Sequence, residues 1–264
     1  KSNSKLESLS NNFGIKSENR FKDYDELLNL KEIDAVYIST LNNTHIDLIL
    51  NSAKNNKKIL CEKPIGLNLE QANQALKGVK NNNISFYEAI AYRSHPQTKV
   101  LLELIHNKII GNIYKIEASF GFKIKRIKKD SRLFNKEYGG GAILDLGCYP
   151  ISFFNLFTDK NNTIEFKSAE GSYCSTGVDD NATIRLKIGD KIDAFGSVSL
   201  RKNLRNECKI YGEKGNIIIP SPWLPSQKSY IEIENQKSYY KKFTTNEKNI
   251  YATQIDTVAK LFMN

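Results

Sequence analysis

Glu62, Lys63 and Pro64 bring a carboxylate, an ammonium and a turn residue to the end of the strand-like stretch KKILC. If this stretch belongs to a parallel sheet, Lys63 lies beyond the carboxyl end of a strand, where ligands bind in such folds. The same three residues also suit a strand end with solvated charges and a turn proline. On the motif alone, the two interpretations are equally supported.

A second set of candidate residues lies in the stretch GGGAILDLGCYP at 139–150. Asp145 and Tyr149 are four residues apart in a predicted helix, so they share one face. Because the ordinary pKa of tyrosine is about 10, Tyr149 needs a nearby cation to transfer protons at neutral pH. The common alternative is a core tyrosine. Three consecutive glycines before the helix favour instead a close approach of the backbone to a ligand or to another element.

The elements that would position these residues differ between the two parts of the chain. In the first part, short apolar runs alternate with amphipathic segments. Strands are predicted at 35–39, 57–62 and 84–88, and helices at 5–13, 23–30, 45–56 and 68–82. This βαβαβ order predicts part of a Rossmann-like, doubly wound parallel sheet over residues 1–90, and therefore an α/β protein.

After residue 90 the pattern changes to strands with period-two alternation and glycine-containing turns. Strands are predicted at 112–122, 164–174, 181–188, 191–200, 207–212 and 216–220, and helices at 96–107 and 142–157. Residues 91–264 are therefore predicted to form an α+β domain with a large, mainly antiparallel open sheet. We expect this domain to bind the substrate and to mediate oligomerisation.

Composition narrows the class of protein. No segment approaches the length of a membrane span. The four cysteines are scattered without a CxxC pair, as in a cytoplasmic protein without zinc or disulfides. The formal charge of +10 suggests nucleic-acid binding, but the lysines are spread along the chain. The densest basic run, at 123–132, is interpreted as a solvated loop, able at most to attract an anionic substrate or a cofactor phosphate. We expect no metal, no membrane and no nucleic acid as partners.

Three stretches, taken in order, resemble the Gfo/Idh/MocA family of NAD(P)-dependent oxidoreductases. They are residues 34–66, 88–97 and 132–151, and their most specific motifs are EKP and GGGxxxDxGCY. The tyrosine in GCYP is most similar to the branch that contains trans-dihydrodiol dehydrogenases and glucose–fructose oxidoreductases. The resemblance implies hydride transfer between NADP(H) or NAD(H), with NADP slightly favoured, and a hydroxyl or carbonyl of a sugar, polyol or cyclic diol. The alternative is a non-catalytic homologue that binds a sugar or a partner.

The resemblance also implies roles for individual residues. Tyr149 would transfer the proton, Lys63 would assist it and contact the substrate and the nicotinamide ribose, and Asp145 would orient the substrate or the lysine. Other residues that match the family's cofactor-binding positions are Thr40, Asn42, His45, Glu62, Pro64, Arg93 and Lys1. Among them, Lys1 aligns with a position that meets the 2′-phosphate of NADP.

The dinucleotide fingerprint GxGxxG does not occur in the sequence. Alignment with the family pattern places residue 1 just after the second strand of the fold. We therefore expect the chain to be a piece of a longer protein, with the first strand, the phosphate loop, the first helix and the second strand upstream. We also expect the family's usual last helix to lie beyond residue 264.

The strands of the second domain suggest association between subunits. Their alternation is predicted to place an apolar set on the outer face of the sheet: Ile184, Leu186, Ile188, Ala194, Gly196 and Val198. Large exposed apolar patches mark interfaces. We expect a homodimer or homotetramer that forms through this sheet.

Overall fold

Two sheets organise the chain in the computed structural model, which describes residues 3–159, 163–236 and 238–263. The first sheet has three strands and the second has eight. The first sheet ends at Ala89 and the second begins at Ile113. This architecture confirms the predicted α/β class, with a Rossmann-like part followed by a larger sheet domain, while the boundary near residue 90 stays a prediction.

The first sheet is parallel throughout, in the order β1-β2-β3. Its strands are β1 (Ala35–Ile38), β2 (Lys58–Glu62) and β3 (Phe86–Ala89). The helices of this part are α1 (Asn3–Asn12), α2 (Tyr24–Leu28), α3 (His45–Lys54) and α4 (Leu69–Asn81). Because all three strands run in one direction, the side chains that follow them gather at one edge of the sheet.

Local sequence signals explain where α4 begins. The Asn68 side chain accepts a hydrogen bond from the Gln71 backbone N–H at 2.9 Å, and the Gln71 side chain accepts one from the Leu67 N–H at 2.8 Å. The two hydrogen bonds together satisfy backbone N–H groups around the helix start, as a polar cap with a partner three positions later does. α3 and α4 then pack Ile49 and Ala75 with Ile59 of β2 in the core on one face of the sheet.

The second sheet has the order β11-β10-β9-β8-β4-β7-β6-β5. Its strands are β4 (Ile113–Gly121), β5 (Ile164–Tyr173), β6 (Asp179–Ile188), β7 (Ile192–Ser199), β8 (Cys208–Gly212), β9 (Gly215–Ile219), β10 (Lys228–Asn235) and β11 (Ser238–Thr245). Neighbouring strands are antiparallel except β4 and β7, which are parallel. Two helices, α5 (Pro96–His106) and α6 (Cys148–Phe154), pack against this sheet. The mainly antiparallel sheet is as predicted.

Three elements were missed by the sequence analysis: β10, β11 and the helix α7 (Ile250–Met263). In β10 the alternation was visible, since Ile231 and Ile233 are buried and Glu232 and Glu234 lie between them. α7 packs against the first sheet, where the rings of Tyr87 and Phe262 are 5.6 Å apart. Its position depends on contacts distant in sequence, which a local pattern does not contain.

The helix predicted over 142–157 is not a continuous α-helix. It consists of a π-helical turn (Ile143–Gly147), then α6, then a 3₁₀ turn (Asn155–Phe157). Pro150 is the third residue of α6, and because it has no N–H it donates no hydrogen bond to the preceding π turn. Single π turns occur frequently at functional sites, and this one contains Asp145.

The apolar set expected on the outer face of the second sheet is on its inner face. Leu186, Ile188, Ala194 and Val198 are buried in the core, and Gly196 faces Phe154 of α6. The alternation was correctly recognised but assigned to the wrong side, because period two alone does not say which face the helices cover. The outer face instead carries charged and aromatic side chains such as Lys115, Glu117, Arg185, Phe195 and Tyr211. The apolar residues therefore no longer support association between subunits, and the homodimer or homotetramer stays a prediction.

The described residues were also examined for a membrane-spanning helix and for groups of metal-binding side chains. No helix there combines the length and the apolar character that crossing a bilayer requires. No three His, Cys, Asp or Glu side chains in the same residues are grouped as metal ligands.

Candidate active site

Lys63 extends from the carboxyl end of β2 into the second domain. Its Nζ donates a hydrogen bond to the Asp145 backbone carbonyl at 2.6 Å and lies 3.3 Å from Asp145 Oδ1. The same Nζ is 5.2 Å from the centroid of the Tyr149 ring. The structure thus brings together the three residues that the sequence singled out from two separate motifs.

Asp145 is almost completely buried, at 5 % exposure, and is held by two cations. Besides Lys63, Arg132 NH1 donates to Asp145 Oδ1 at 2.8 Å. A buried carboxylate is costly unless it is paired and hydrogen-bonded, and here both conditions are met. Arg132 was not among the predicted site residues. The signals for it were its place in the basic run at 123–132 and at the start of the third family-like stretch.

Tyr149 lies in an aromatic cluster on the inner face of the second sheet. Its ring centroid is 5.1 Å from that of Phe120, 6.0 Å from that of Trp223 and 6.4 Å from that of Tyr92. Burial in these surroundings raises the pKa of Tyr149 well above its ordinary value, and the nearby Cys148, Glu62 and Asp145 side chains add to the rise.

This direction of the pKa shift is opposite to the one expected from a neighbouring lysine. Burial is the largest cause, and the Lys63 ammonium, which is paired with the Asp145 carboxylate, does not offset it. Tyr149 is therefore a protonated phenol at neutral pH. It is equipped to donate a proton rather than to accept one.

The glycines before the π turn allow the chain to approach another protein element. Gly141 has φ +121°, and a Cβ atom there would lie 2.2 Å from Asp179 Oδ1. The other carboxylate oxygen of Asp179 accepts a hydrogen bond from the Ile143 N–H at 2.7 Å. Gly141 and Asp179 together fix the start of the turn that presents Asp145.

We expect Gly141→Ala to lower the free energy of unfolding by about 2–3 kcal/mol, because it combines backbone strain with a clash against Asp179. Gly177→Ala is the matched control, since Gly177 has φ +79° but open space around its Cα. Gly177→Ala should lower the free energy of unfolding by the backbone strain alone, about 1 kcal/mol. Chemical denaturation measures both values, and equal losses would show that the contact with Asp179 is unimportant.

The loop after β1 carries three predicted cofactor-binding residues, and it joins the two motifs. His45 is fully buried, with Nδ1 2.8 Å from the Pro64 carbonyl oxygen and Nε2 3.2 Å from that of Thr40. Asn42 Nδ2 donates to the Gly139 carbonyl at 3.2 Å. Through these contacts, His45 links the loop after β1 to the turn that contains Pro64. Their roles towards a cofactor stay predictions.

The remaining predicted residues occupy different places around the cluster. Glu62 accepts a hydrogen bond from the Tyr37 hydroxyl, and Arg93 NH2 donates to the Ser152 carbonyl of α6 at 2.9 Å. Arg93 therefore ties the end of the first domain to the helix that carries Tyr149. Lys1 lies outside the described residues.

Glu88 was not predicted, although it lies beside the Lys63 turn. Its Oε1 accepts a hydrogen bond from the Ile65 N–H at 2.9 Å, and burial raises the pKa of this carboxyl. Because β2 and β3 are neighbours, Glu88 stands opposite Cys61 in the sheet. It fixes the backbone that follows Lys63 and Pro64.

A polar group without a partner marks where a cofactor would fit. Asn43 Oδ1, in the loop after β1, is buried and has no hydrogen-bond partner among the described residues. Buried acceptors are nearly always paired, so this atom suits a donor on a bound molecule. The loop after β1 therefore contains a hydrogen-bond acceptor that no described residue uses.

Comparisons with known proteins identify the family and the fold of the chain. Residues 1–88 match the model of an oxidoreductase family with an NAD-binding Rossmann fold, and residues 98–218 match the GFO/IDH/MocA C-terminal domain. The trans-1,2-dihydrobenzene-1,2-diol dehydrogenase of Xenopus tropicalis is 34% identical over 204 residues, which are 77% of this chain and 61% of that protein. The mouse (Mus musculus) protein of the same name is 29% identical over 77% of this chain and 60% of its own length. The chain thus spans about three fifths of the length of these curated relatives.

Solved structures share the fold at low sequence identity. KijD10, a 3-ketoreductase from Actinomadura kijaniata in complex with NADP and TDP-benzene, has a TM-score of 0.87 at 22% identity, covering 98% of this chain and 78% of that one. An aldose-aldose oxidoreductase from Caulobacter crescentus, complexed with glycerol, has a TM-score of 0.87 at 19% identity over 99% and 79% of the two chains. With the two family models covering most of its length, the chain belongs to the Gfo/Idh/MocA family.

Proposed function

We propose that the protein is an oxidoreductase that transfers a hydride between NADP(H) or NAD(H) and a hydroxyl or carbonyl of a sugar, polyol or cyclic diol. The observation that carries this proposal is the cluster of Lys63, Asp145 and Tyr149 beyond the carboxyl end of a parallel strand. The bound dinucleotide supplies the hydride chemistry. The side chains of the cluster bind, orient and transfer the proton.

Lys63 has the donors to hold a substrate oxygen. An ammonium group has three N–H donors, and Asp145 offers two acceptors, its carbonyl oxygen and Oδ1. One donor is left, on a side chain that is only 13 % exposed. A donor preorganised in a site that excludes most water stabilises negative charge as it develops on a substrate oxygen.

Tyr149 acts as the proton donor when a carbonyl is reduced. Its raised pKa means that the phenol is protonated across the neutral range. In the reverse direction the phenolate must form first, which this environment disfavours. Asp145 and Arg132 position the Lys63 ammonium and do not take part in proton transfer.

The raised pKa of Tyr149 predicts different pH profiles for the two directions. For carbonyl reduction, we expect kcat to be independent of pH between about 6 and 9, because the acid stays protonated. For alcohol oxidation, the rate should still rise with pH at about 10, the ordinary pKa of tyrosine. Steady-state kinetics in both directions measure these profiles, and an oxidation rate that levels off near neutral pH would contradict the assignment.

The proposed cofactor is NADP or NAD, with NADP slightly favoured. KijD10 is named as a complex with NADP and a levoglucosan dehydrogenase as a complex with NADH, so related folds accept either. A direct comparison of KM for NADPH and NADH decides the choice. A lower KM for NADH than for NADPH would contradict the preference for NADP.

A screen of the full-length protein tests the proposal. Sugars, polyols and cyclic diols are each incubated with oxidised NADP or NAD, and the absorbance of the reduced nicotinamide reports turnover. Turnover of a member of these classes is the expected result. The absence of turnover with either cofactor, in a protein that still binds these compounds, would favour the non-catalytic homologue. That alternative predicts Lys63 or Tyr149 turned away from the site, whereas the Lys63 ammonium lies close to the Tyr149 ring.

A further inference from the structure

The net positive charge of the protein is concentrated in two short loops. Residues 123–132 contain six Lys or Arg and one Asp, and residues 200–206 contain three Lys or Arg and no acid. Nine cations against one carboxylate give these 17 residues a net charge of +8. Since the whole chain carries +10, the rest carries only +2. The lysine-rich composition of the chain therefore does not explain this cluster, which we call the basic rim.

Arginine is also unevenly distributed. The chain contains seven arginines among its 39 basic residues. Four of them belong to the basic rim, and they are Arg126, Arg132, Arg201 and Arg205. A planar guanidinium binds carboxylates and phosphates through two parallel hydrogen bonds, which an ammonium does not. The use of arginine in a chain that otherwise uses lysine points to binding of an oxyanion.

The two loops of the rim are held side by side. They follow the parallel strands β4 and β7, whose last residues, Gly121 and Ser199, are paired. The Lys123 N–H donates to Asn203 Oδ1 at 2.8 Å, and Arg201 NH1 donates to the Ile124 carbonyl at 2.6 Å. These contacts hold the first residues of the 123–132 loop against the 200–206 loop, so the basic residues of both loops belong to one edge of the sheet.

The rim reaches the candidate active site at Arg132. This side chain is 55 % exposed, and within the described part of the chain its guanidinium bonds only to Asp145, through NH1 at 2.8 Å. A guanidinium has five N–H donors, so most of them are free to face a ligand. Arg201 lies near the other anchor of the π turn, with Nε 3.9 Å from Asp180 Oδ2, next to Asp179.

We propose that the substrate of this enzyme carries an anionic group, a phosphate ester or a carboxylate, which Arg132 binds while Arg201 and the rest of the basic rim attract it. The inference rests on the proposed function, because it places this group next to the carbon that reacts near Lys63 and Tyr149. Arg132 then has two tasks, since one N–H holds Asp145 and the others hold the substrate. Neutral sugars lack the second interaction and bind more weakly.

A matched set of substrates tests the inference: a neutral hexose, its phosphate ester and its uronate. With the full-length protein and saturating cofactor, we expect kcat/KM for one of the anionic sugars to exceed that for the neutral one by at least about tenfold, the worth of one charge-assisted hydrogen bond. The anionic sugar with the higher kcat/KM shows whether the site binds a phosphate ester or a carboxylate. Added salt should reduce the advantage.

Arg132→Gln should remove most of this advantage through KM, with a much smaller effect on the neutral hexose. Arg201→Gln should remove part of it. The control is Lys77→Gln/Lys80→Gln, which deletes two exposed charges from α4 and should leave the ratio unchanged. If Arg132→Gln slows all three sugars equally, Arg132 only positions Asp145 and the inference is wrong.

Two other results would also overturn the inference. A changed preference for NADP over NAD in Arg132→Gln would assign the rim to the cofactor. Binding of a single-stranded oligonucleotide that is lost in Arg126→Gln/Arg205→Gln would assign it to nucleic acid. Calorimetric titration of the phosphate ester and the uronate separates this inference from the proposed function. Binding that depends on Arg132 without any turnover supports the anion site and contradicts the enzyme.

Discussion

Tyr149→Phe is expected to lower kcat for carbonyl reduction about 10²–10⁴-fold, the range that general acid catalysis contributes. The substitution removes one oxygen and leaves the ring among Phe120, Trp223 and Tyr92. No side chain among the described residues hydrogen-bonds the Tyr149 hydroxyl, so its loss breaks no contact within the protein. KM and the free energy of unfolding should therefore change little. Stopped-flow measurement of a single turnover isolates the chemical step.

Tyr92→Phe is the matched control for this substitution. Tyr92 is a buried neighbour whose pKa burial raises to about 12, but its hydroxyl donates to Ser152 Oγ at 3.1 Å. Its replacement should lower the free energy of unfolding by about 1 kcal/mol, the net worth of a hydrogen bond, and leave kcat within a few-fold. If both variants lost kcat equally, aromatic packing would explain the effect. A Tyr149→Phe enzyme of normal kcat would rule out Tyr149 as the acid.

The proximity of Lys63, Asp145 and Tyr149 was predicted from two short motifs and from the resemblance to a family. The apolar strand and its turn predict that Lys63 points out of a parallel sheet, and the four-residue spacing links Asp145 with Tyr149. The structure retains this proximity although the segment around Asp145 is π-helical. The two motifs therefore predicted which side chains lie together, while the catalytic roles that the resemblance implies for them stay predictions.

What the sequence did not predict depends on contacts between distant segments. The Arg132 contact with Asp145 crosses from a loop to a helix, and the pairing of the 123–132 loop with residues 200–206 requires that β4 and β7 be neighbours. Neither is encoded in spacing along the chain. The basic run at 123–132 was therefore interpreted as a solvated loop, and its proximity to the basic residues of 200–206 at one edge of the sheet was missed.

Lys63→Met is expected to lower kcat about 10²–10³-fold, as for removal of a single preorganised donor to a developing negative charge. Methionine keeps most of the length of the side chain but has no ammonium to hold a substrate oxygen. Loss of activity should be accompanied by a loss of stability, because the buried Asp145 carboxylate keeps only Arg132 as a cationic partner. The free energy of unfolding should fall by less than the ~3–5 kcal/mol that a fully unpaired buried charge costs.

Lys57→Met separates the two effects of Lys63→Met. Lys57, immediately before β2, is 6 % exposed, and its Nζ donates to the carbonyls of Leu30 at 2.6 Å and Ile33 at 2.9 Å. It is also a buried ammonium, with no contact to Asp145 or Tyr149. Its loss should destabilise the fold and leave kcat of the remaining folded enzyme unchanged. If Lys57→Met and Lys63→Met reduce kcat in proportion to their loss of stability, Lys63 is a structural residue, and the catalytic role assigned to it is wrong.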